Sequence, residues 1–259
     1  MYDDLDRPPL RAAPLARALA ADGWRVEVVG TAGSTNAVVA ARARAGEPAG
    51  LVVVAELQSA GRGRLDRGWT SPARAGLTLS LLLRPDLPPA QWPWLPLVAG
   101  VGVARALRER AGVDAVLKWP NDVLVAGRKV AGLLAEVPTP GAVVLGLGLN
   151  VSTRRAELPH DGATSLALEG AETTDRDTLL RAVLRELATV LAEPEAGRAS
   201  YRALCSSLDR QVRVELPDGG RATGTAVGID DDGRLVVEGP AGRAAYGAGD
   251  VVHLRTDVH

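Results

Sequence analysis

Phenylalanine is missing from this 259-residue chain, and isoleucine, cysteine and methionine occur once each, at Ile229, Cys205 and Met1. A single cysteine cannot close an internal disulfide, which suits a reducing cytosol. No uninterrupted apolar run reaches the ~20 residues that a membrane-spanning helix needs. The first eleven residues carry Asp and Pro and lack the apolar stretch of a secretory signal. The expectation is a cytoplasmic protein with no membrane partner. Charge of one sign is missing too: 30 basic against 31 acidic side chains leave a net charge of −1. Without a global basic field a polyphosphate backbone finds little to hold, which argues against nucleic acid as the main partner. No Gly-Lys pair occurs, so a Walker A loop is excluded, and no G-x-S-x-G elbow is present. His160, His253 and His259 lie far apart and have one cysteine to join, which offers no zinc-ligand spacing.

Two further residue types are scarce. Of the 30 basic side chains only Lys118 and Lys129 are lysines, and asparagine occurs only at Asn36, Asn121 and Asn150. The depleted amino acids are those with AT-rich codons, the mark of a GC-biased genome, in which a replaceable lysine drifts to arginine. Those that persist are candidates for chemistry that no substitute supplies. All five fall in segments that stand out on other grounds.

What is present is the balance of a folded chain, 46% hydrophobic and 24% charged, with length for one large domain and a small appendage. Caps and helical spacing predict helices over Pro14–Asp22, Thr35–Ala45 behind an N-cap at Ser34, Trp94–Arg110 and Asp175–Ala192. Apolar runs predict strands over Arg25–Val29, Leu51–Leu57, Leu77–Leu83, Ala115–Trp119, Val123–Val125, Lys129–Val137 and Val143–Val151. Ala126-Gly127 reads as the tight turn of a hairpin that brings the two lysines face to face. Ser59–Pro72 reads as a loop. The fold class expected is α+β, a mixed and largely antiparallel sheet with packed helices; a doubly wound parallel sheet is the alternative. After Leu208 come five short predicted strands, Val212–Leu216, Thr223–Gly228, Arg234–Val237, Ala244–Tyr246 and Val251–Leu254, separated by Gly/Asp turns. They predict a small β-barrel over residues 209–259, appended to a main domain over 1–208.

Four segments carry chemistry. Gly61-Arg62-Gly63-Arg64-Leu65-Asp66-Arg67-Gly68-Trp69, preceded by Gln58, fails the dinucleotide fingerprint because Asp66 stands where its third glycine belongs. Its glycines let the backbone close on a ligand, its arginines offer forked donors for phosphate or carboxylate, and Trp69 offers a flat face. A flexible arginine/glycine segment is the plainer reading. Lys118-Trp119-Pro120-Asn121-Asp122 and Arg128-Lys129-Val130-Ala131-Gly132 hold both lysines, compact cations suited to a carboxylate or phosphate oxygen. Asp122 is a candidate anchor for Mg²⁺, or half of a turn pair with Asn121. Gly146-Leu147-Gly148-Leu149-Asn150 marks close backbone approach or a bulge. Ser34-Thr35-Asn36 can bind a polar ligand at a helix start or only cap it.

Taken in order, these segments resemble the biotin protein ligases, from about Gly30 to the C-terminus. The tail segments Gly228-Ile229-Asp230-Asp231-Asp232-Gly233 and Gly249-Asp250-Val251 resemble that family's SH3-like domain. The resemblance implies a ligase that activates biotin with ATP and Mg²⁺ as biotinyl-5′-AMP. It then passes the acyl group to a lysine of the biotin carboxyl carrier domain of acyl-CoA or pyruvate carboxylases. It implies Arg62, Arg64, Lys118 and Lys129 as catalytic cations. Around biotin it implies Ser34, Thr35, Asn36, Gln58, Gly61, Arg62, Gly63, Arg64, Lys129 and Gly132. On ATP it implies Arg64, Arg67, Trp69, Asn121 and Asn150, and on Mg²⁺ Asp122. Relatives often carry small or basic residues where this chain has Leu65-Asp66. Many also begin with a DNA-binding helix-turn-helix of some sixty residues, whereas about thirty precede Ser34 here. The expectation is a ligase without specific DNA binding, monomeric or a weak homodimer. Two alternatives stand beside it: a lipoate or octanoate transferase of the same architecture, and a non-catalytic nucleic-acid-binding module.

Overall fold

The computed structural model describes residues 7–254. A seven-stranded sheet runs through the larger part of the chain. Its strands are β1 (Arg25–Ala32), β2 (Leu51–Gln58), β5 (Gly76–Leu83), β6 (Ala115–Lys118), β7 (Asp122–Val125), β8 (Arg128–Thr139) and β9 (Ala142–Asn150), in the order β1-β2-β5-β9-β8-β7-β6. Only β1 and β2 pair in parallel; the other pairs are antiparallel. This is the mixed α+β arrangement expected, and the parallel alternative survives in that one pair. Helix α2 (Thr35–Arg44) covers one face of the sheet. Helices α1 (Ala12–Ala20), α3 (Trp94–Ala111), α4 (Arg176–Ala192) and α5 (Pro194–Leu204) lie on the other side.

Strand alternation explains this layering. In Leu51-Val52-Val53-Val54, Leu51 and Val53 pack beneath α2, while Val52 and Val54 point into the larger core. A strand covered on both faces reads as a continuous apolar run, as this one does. Further along, alternation carries information. In β9, Leu145, Leu147 and Leu149 enter the large core, so Gly146, Gly148 and Asn150 fall on the α2 side. In β5, Leu77, Leu79 and Leu81 enter that core, and Thr78 and Ser80 fall opposite. Polar and side-chain-free positions thus collect on one sheet face, where α2 begins.

The helix starts follow the sequence. Ser34 caps α2 by accepting from the Ala37 N–H at 3.4 Å, and Asp175 caps α4 by accepting from Thr178 N–H at 3.0 Å. Helix α5 has no counterpart in the sequence reading. Its buried face is Gly197, Arg198 and Tyr201, which leaves no aliphatic period to detect. Gly197 lets it come close to Val98 of α3, and Tyr201 meets Trp94 edge to face at 6.0 Å. The Gly/Arg segment after β2 also has more order than a loop. Strands β3 (Gly61–Arg62) and β4 (Gly68–Trp69) form a two-stranded ribbon around a tight turn in which Leu65 adopts φ 54°. Its stems are pinned by Arg176, which donates to Glu56 at 2.6 Å and to the Gly76 carbonyl at 3.4 Å.

The C-terminal strands β10 (Gln211–Glu215), β11 (Arg221–Ile229), β12 (Leu235–Gly239), β13 (Gly242–Tyr246) and β14 (Asp250–His253) form the small antiparallel, SH3-like unit, in the order β13-β12-β11-β10-β14. Their bounds differ from the expected ones by a residue or two. The unit is joined to the rest by backbone acceptors. Trp94 donates its indole N–H to Asp231 O at 2.8 Å, and Trp119 to Gly233 O at 3.0 Å. On the other side of the seam Ser207 shares a 3.0 Å hydrogen bond with His253, and Trp119 N–H donates to the same hydroxyl at 3.3 Å. Burial, then the nearby positive charges of Lys118 and Arg210, lower the His253 pKa to about 4. The folded chain therefore binds fewer protons than the unfolded one between that value and the ordinary ~6.5. This contribution to stability is complete above the unfolded value and is lost as pH falls through the window. Thermal melts from pH 7 down to pH 4.5 should show a steeper loss for wild type than for His253→Gln, and parallel slopes would refute the assignment.

Candidate active site

A cleft opens on the polar face of the sheet, bounded by α2, the β3–β4 ribbon, β8, β9 and β14. Of the residues to which the resemblance gave a role in the site, all but Gly61 and Lys118 line it. Gly61 stands behind the wall, where a Cβ would collide with the Gln58 amide and the Trp69 carbonyl. Lys118 sits behind Asp122 at 3.9 Å. The lysines do not face each other across one hairpin, as the turn at Ala126-Gly127 suggested. Lys118 is on β6 and Lys129 on β8, so they flank Asp122 of β7 from opposite sides.

One end of the cleft is neutral and rich in hydrogen-bonding groups. Gln58 Oε1 accepts from the Thr35 N–H at 2.8 Å and from its hydroxyl at 3.1 Å, which turns the Gln58 NH₂ towards Gly61. The buried Ser80 hydroxyl lies 2.7 Å from Thr35 Oγ1 and donates to Asn36 Oδ1 at 2.5 Å. Asn36 in turn donates to Glu136 at 2.6 Å. Asn36 fits only because residue 146 is glycine, since a Cβ there would overlap its amide. Ser80, Thr78 and Glu136 were missed in the sequence; the Leu-Thr-Leu-Ser-Leu alternation of β5 was the signal for the first two.

Next to this end stands Trp69. Gly132 and Gly148 are partners across β8 and β9, and the Trp69 indole lies against both: a Cβ on Gly148 would overlap the ring, and one on Gly132 would touch it at 3.5 Å. The paired glycines make a flat floor that any side chain would spoil. The Trp69 N–H is buried and has no acceptor among the described residues, a donor that costs ~1–3 kcal/mol until a ligand satisfies it.

Beyond Trp69 the cleft turns cationic. Lys129 Nζ lies 2.5 Å from Asp122 Oδ1 and 5.8 Å from the Trp69 ring centroid. The placement of Lys129 depends on a β-bulge. Asp122 pairs with Gly132 and Val123 with Ala131, but Leu124 pairs with Lys129. Val130 is the extra residue, and Val130 and Ala131 both enter the core. Strict alternation would put Lys129 on the core side. The bulge turns it back over Gly132, whose missing side chain leaves room for Lys129 Cε. Burial lowers the pKa of Arg64 and that of Lys118, with Asp122 opposing in both cases. Desolvated cations of this kind gain when an anion arrives. Among the described residues Arg62 pairs with Glu136 at 3.5 Å, the arginine side chain about half exposed and the carboxylate a third, a pair worth at most about 1 kcal/mol and easily released. Arg67 pairs with Asp250 of β14. Pro159, His160 and Ala163 complete the far end. Asp250 and His160 were not assigned roles from the sequence; only the fold brings them here.

Residues 32–150 match the model of the biotin/lipoate A/B protein ligase family, and residues 207–254 that of the biotin protein ligase C-terminal domain. The chain is 45% identical to a biotin–[acetyl-CoA-carboxylase] ligase of Mycobacterium tuberculosis, over 96% of this chain and 97% of that one. This chain is a biotin protein ligase family member. It is also 38% identical to the bifunctional ligase/repressor BirA of Escherichia coli, over 84% of this chain and 70% of that protein. Its fold is similar to that of biotin protein ligase from Aquifex aeolicus in complex with biotin and ATP, with a TM-score of 0.75 and 28% identity over 89% of this chain and 99% of that one. For a biotin ligase the glycine floor carries a direct expectation. Gly148→Ala should displace Trp69 and weaken biotin binding tenfold or more while leaving the fold intact, the scale of a lost hydrogen bond and ring contact. Calorimetric titration with biotin, beside a melting curve, tests this; unchanged affinity would show that Trp69 does not rest on the floor in solution.

Proposed function

We propose that this chain is an ATP-dependent biotin–[biotin carboxyl carrier protein] ligase, acting in the cytoplasm on a carrier domain of an acyl-CoA or pyruvate carboxylase. The observation that carries it is the union of a neutral, hydrogen-bonding pocket with cations from three segments, Arg62 and Arg64, Lys129, and Lys118 behind them. A urea-like head suits the first part and a carboxylate meeting a phosphate suits the second. Ser34, Thr35 and Gln58 are the residues to meet the head group, with Asn36, Gly61, Gly63 and Gly132 shaping the pocket. Trp69 stands between that pocket and Lys129, so we assign it to the ring and chain of the acid rather than to adenine. The far end, with Arg67, Pro159 and His160, is left for the nucleotide. Asn121 and Asn150 act there by fixing backbone: Asn121 donates to Leu133 O at 2.7 Å and Asn150 to Thr164 O at 2.9 Å.

In the first step a biotin carboxylate oxygen attacks the α-phosphorus of ATP, the bond to the bridging oxygen breaks, and pyrophosphate leaves. Lys129, Arg62 and Arg64 offset the negative charge that builds on the phosphoryl oxygens, the kind of interaction worth ~10²–10³ in rate per donor. In the second step the carrier lysine amine attacks the acyl carbon, AMP leaves with the electron pair, and the amine loses a proton. Asp122 fits a magnesium ligand poorly. Its carboxylate is already matched by two ammonium groups, Lys129 at 2.5 Å and Lys118 at 3.9 Å. Mg²⁺ belongs to this reading as part of the nucleotide substrate. The catalytic unit is assigned to residues 1–208 and the SH3-like unit to 209–259, with Asp250 reaching back to the cleft. Specific DNA binding forms no part of this reading.

Incubation with ATP, Mg²⁺, labelled biotin and a carrier domain should label one carrier lysine. Transfer of octanoate or lipoate in its place would reverse the assignment. Lys129→Arg should cut adenylate formation by about 10²-fold or more, because a planar fork cannot stand between Asp122, Trp69 and the reacting oxygens as an ammonium does. A near-normal rate in that variant would remove Lys129 from the reaction.

A further inference from the structure

Lys129 is aimed by a bulge at the very start of β8, one residue after a tight turn, a place where strands fray. β7 pairs with this end at Val125–Arg128 and Leu124–Lys129, but the polar backbone groups of Lys129 are not spent on β7. The backbone of Lys129 is instead bonded to a segment that follows β9: Lys129 N–H donates to Gly162 O at 2.8 Å, and Thr164 N–H donates to Lys129 O at 2.8 Å. That segment is held in turn by Arg155, which donates to Ala163 O at 3.0 Å, and by one buried carboxylate. Glu169 accepts from the Thr164 hydroxyl and, at 2.6 Å, from Arg128. The Glu169 side chain is only 8% exposed, and Thr164 is fully buried. Arg128 directly precedes Lys129 in the chain. While Lys129 reaches over Gly132 into the cleft, Arg128 is held by Glu169, outside it. Asn150 closes the arrangement from β9 by donating to Thr164 O.

We propose that Glu169 and Arg128 are positioning residues for Lys129. They form a clamp outside the cleft that holds the bulged end of β8 against residues 162–164, so that the ammonium points at the reacting oxygens. Neither residue lines the cleft, and neither needs to touch substrate. The clamp also sets the segment that carries Pro159, His160 and Ala163 to the nucleotide end. One carboxylate thereby fixes both a reacting cation and the wall opposite it. A partly buried ion pair with a second hydrogen bond to the same carboxylate holds more firmly than an exposed surface pair, so removal of its charge is felt. The consequence for rate follows from geometry, since a displacement of about 1 Å in a reacting group costs up to ~10²-fold.

This inference rests on the ligase reading for its consequence, but its direct test does not. The chain has only two lysines, so protein labelled with carbon-13 lysine gives two side-chain signals, and Lys118 serves as the internal control. Glu169→Gln keeps an acceptor for Thr164 and removes the ion pair. In substrate-free protein it should shift or broaden the Lys129 signal and leave that of Lys118 in place. In turnover it should lower kcat for adenylate formation about tenfold or more while the KM for biotin stays within about twofold. The charge-reversed pair, Arg128→Glu with Glu169→Arg, should recover part of that loss. Should Glu169→Gln fail to fold, Arg128→Ala carries the same comparison, since the Arg128 side chain is 36% exposed. An unmoved Lys129 signal, or both lysine signals moving together as general loosening would make them, overturns the proposal. So does a fall in kcat and rise in KM in equal measure. A wild-type enzyme that makes no biotinyl adenylate would instead sink the proposed function and leave the spectral result to decide the clamp.

Discussion

An ammonium group taken partly out of water needs an opposite charge beside it to offset its lost hydration, and the architecture of this protein turns on how Lys129 is matched. Asp122, 2.5 Å away, supplies the countercharge, and the Trp69 face supplies a weaker one. With Lys118 on its other side, Asp122 answers two cations with one carboxylate. The balance of this group is positive before Arg62, Arg64 and Arg67 are counted. An overall net charge of −1 conceals that local excess completely. The excess is what a carboxylate and a triphosphate brought together require, because each of them repels the other and only fixed positive charge makes their approach favourable.

The compositional bias of the chain gains physical meaning against this arrangement. Arginine has replaced lysine wherever a solvated or forked cation serves, as at Arg42 with Glu27 and Glu47. Lysine persists only at the two positions that share Asp122. Asparagine persists at three positions, and in each its amide joins a loop or helix end to an element of the cleft: Asn36 to Glu136, Asn121 to the Leu133 carbonyl, Asn150 to the Thr164 carbonyl. A short side chain with donor and acceptor in one plane can bridge backbone groups this way, whereas a longer or charged one cannot without a desolvation penalty. These asparagines look like ligand contacts in the sequence. In the fold at least two of them act one step back, on the strands that carry the contacts.

Much of the molecule was legible for a stated reason in each case. Ser34 and Asp175 announced helix starts through capping chemistry, and the leucines of β5 and β9 announced their strands through period two. What escaped was whatever depends on pairing between distant residues. The bulge at Val130 cannot be seen in Lys-Val-Ala-Gly, because a strand shows its extra residue only against a partner. Helix α5 was hidden because its inward face is glycine, arginine and tyrosine. Lys118 read as a partner across a hairpin because the separation along the chain was known and the strand order was not. Asp250 sat in a quoted stretch of the tail, yet nothing local to β14 says that this strand edge reaches the arginine ribbon.

The glycine floor shows how the ligand-free cleft keeps its shape. A depression lined by Gly132, Gly146 and Gly148 has no side chains to hold it open, and an apolar void loses the dispersion contacts of its walls. Asn36 fills the depression over Gly146, and Trp69 fills it over Gly148, each against bare backbone. The two fillings differ in cost. Asn36 has both ends of its amide bonded, so it stays. Trp69 leaves a buried N–H unsatisfied and hangs on a ribbon of two residues per strand whose turn includes Leu65 at φ 54°, a conformation unfavourable for a branched side chain. The rigid half of the cleft is therefore the head-group half, already wired through Ser80 and Gln58. The adaptable half carries the indole and the arginines. A ligand that enters head first meets a preformed pocket, and the energy of that encounter is available to rearrange the ribbon around the end of the molecule where the reaction takes place.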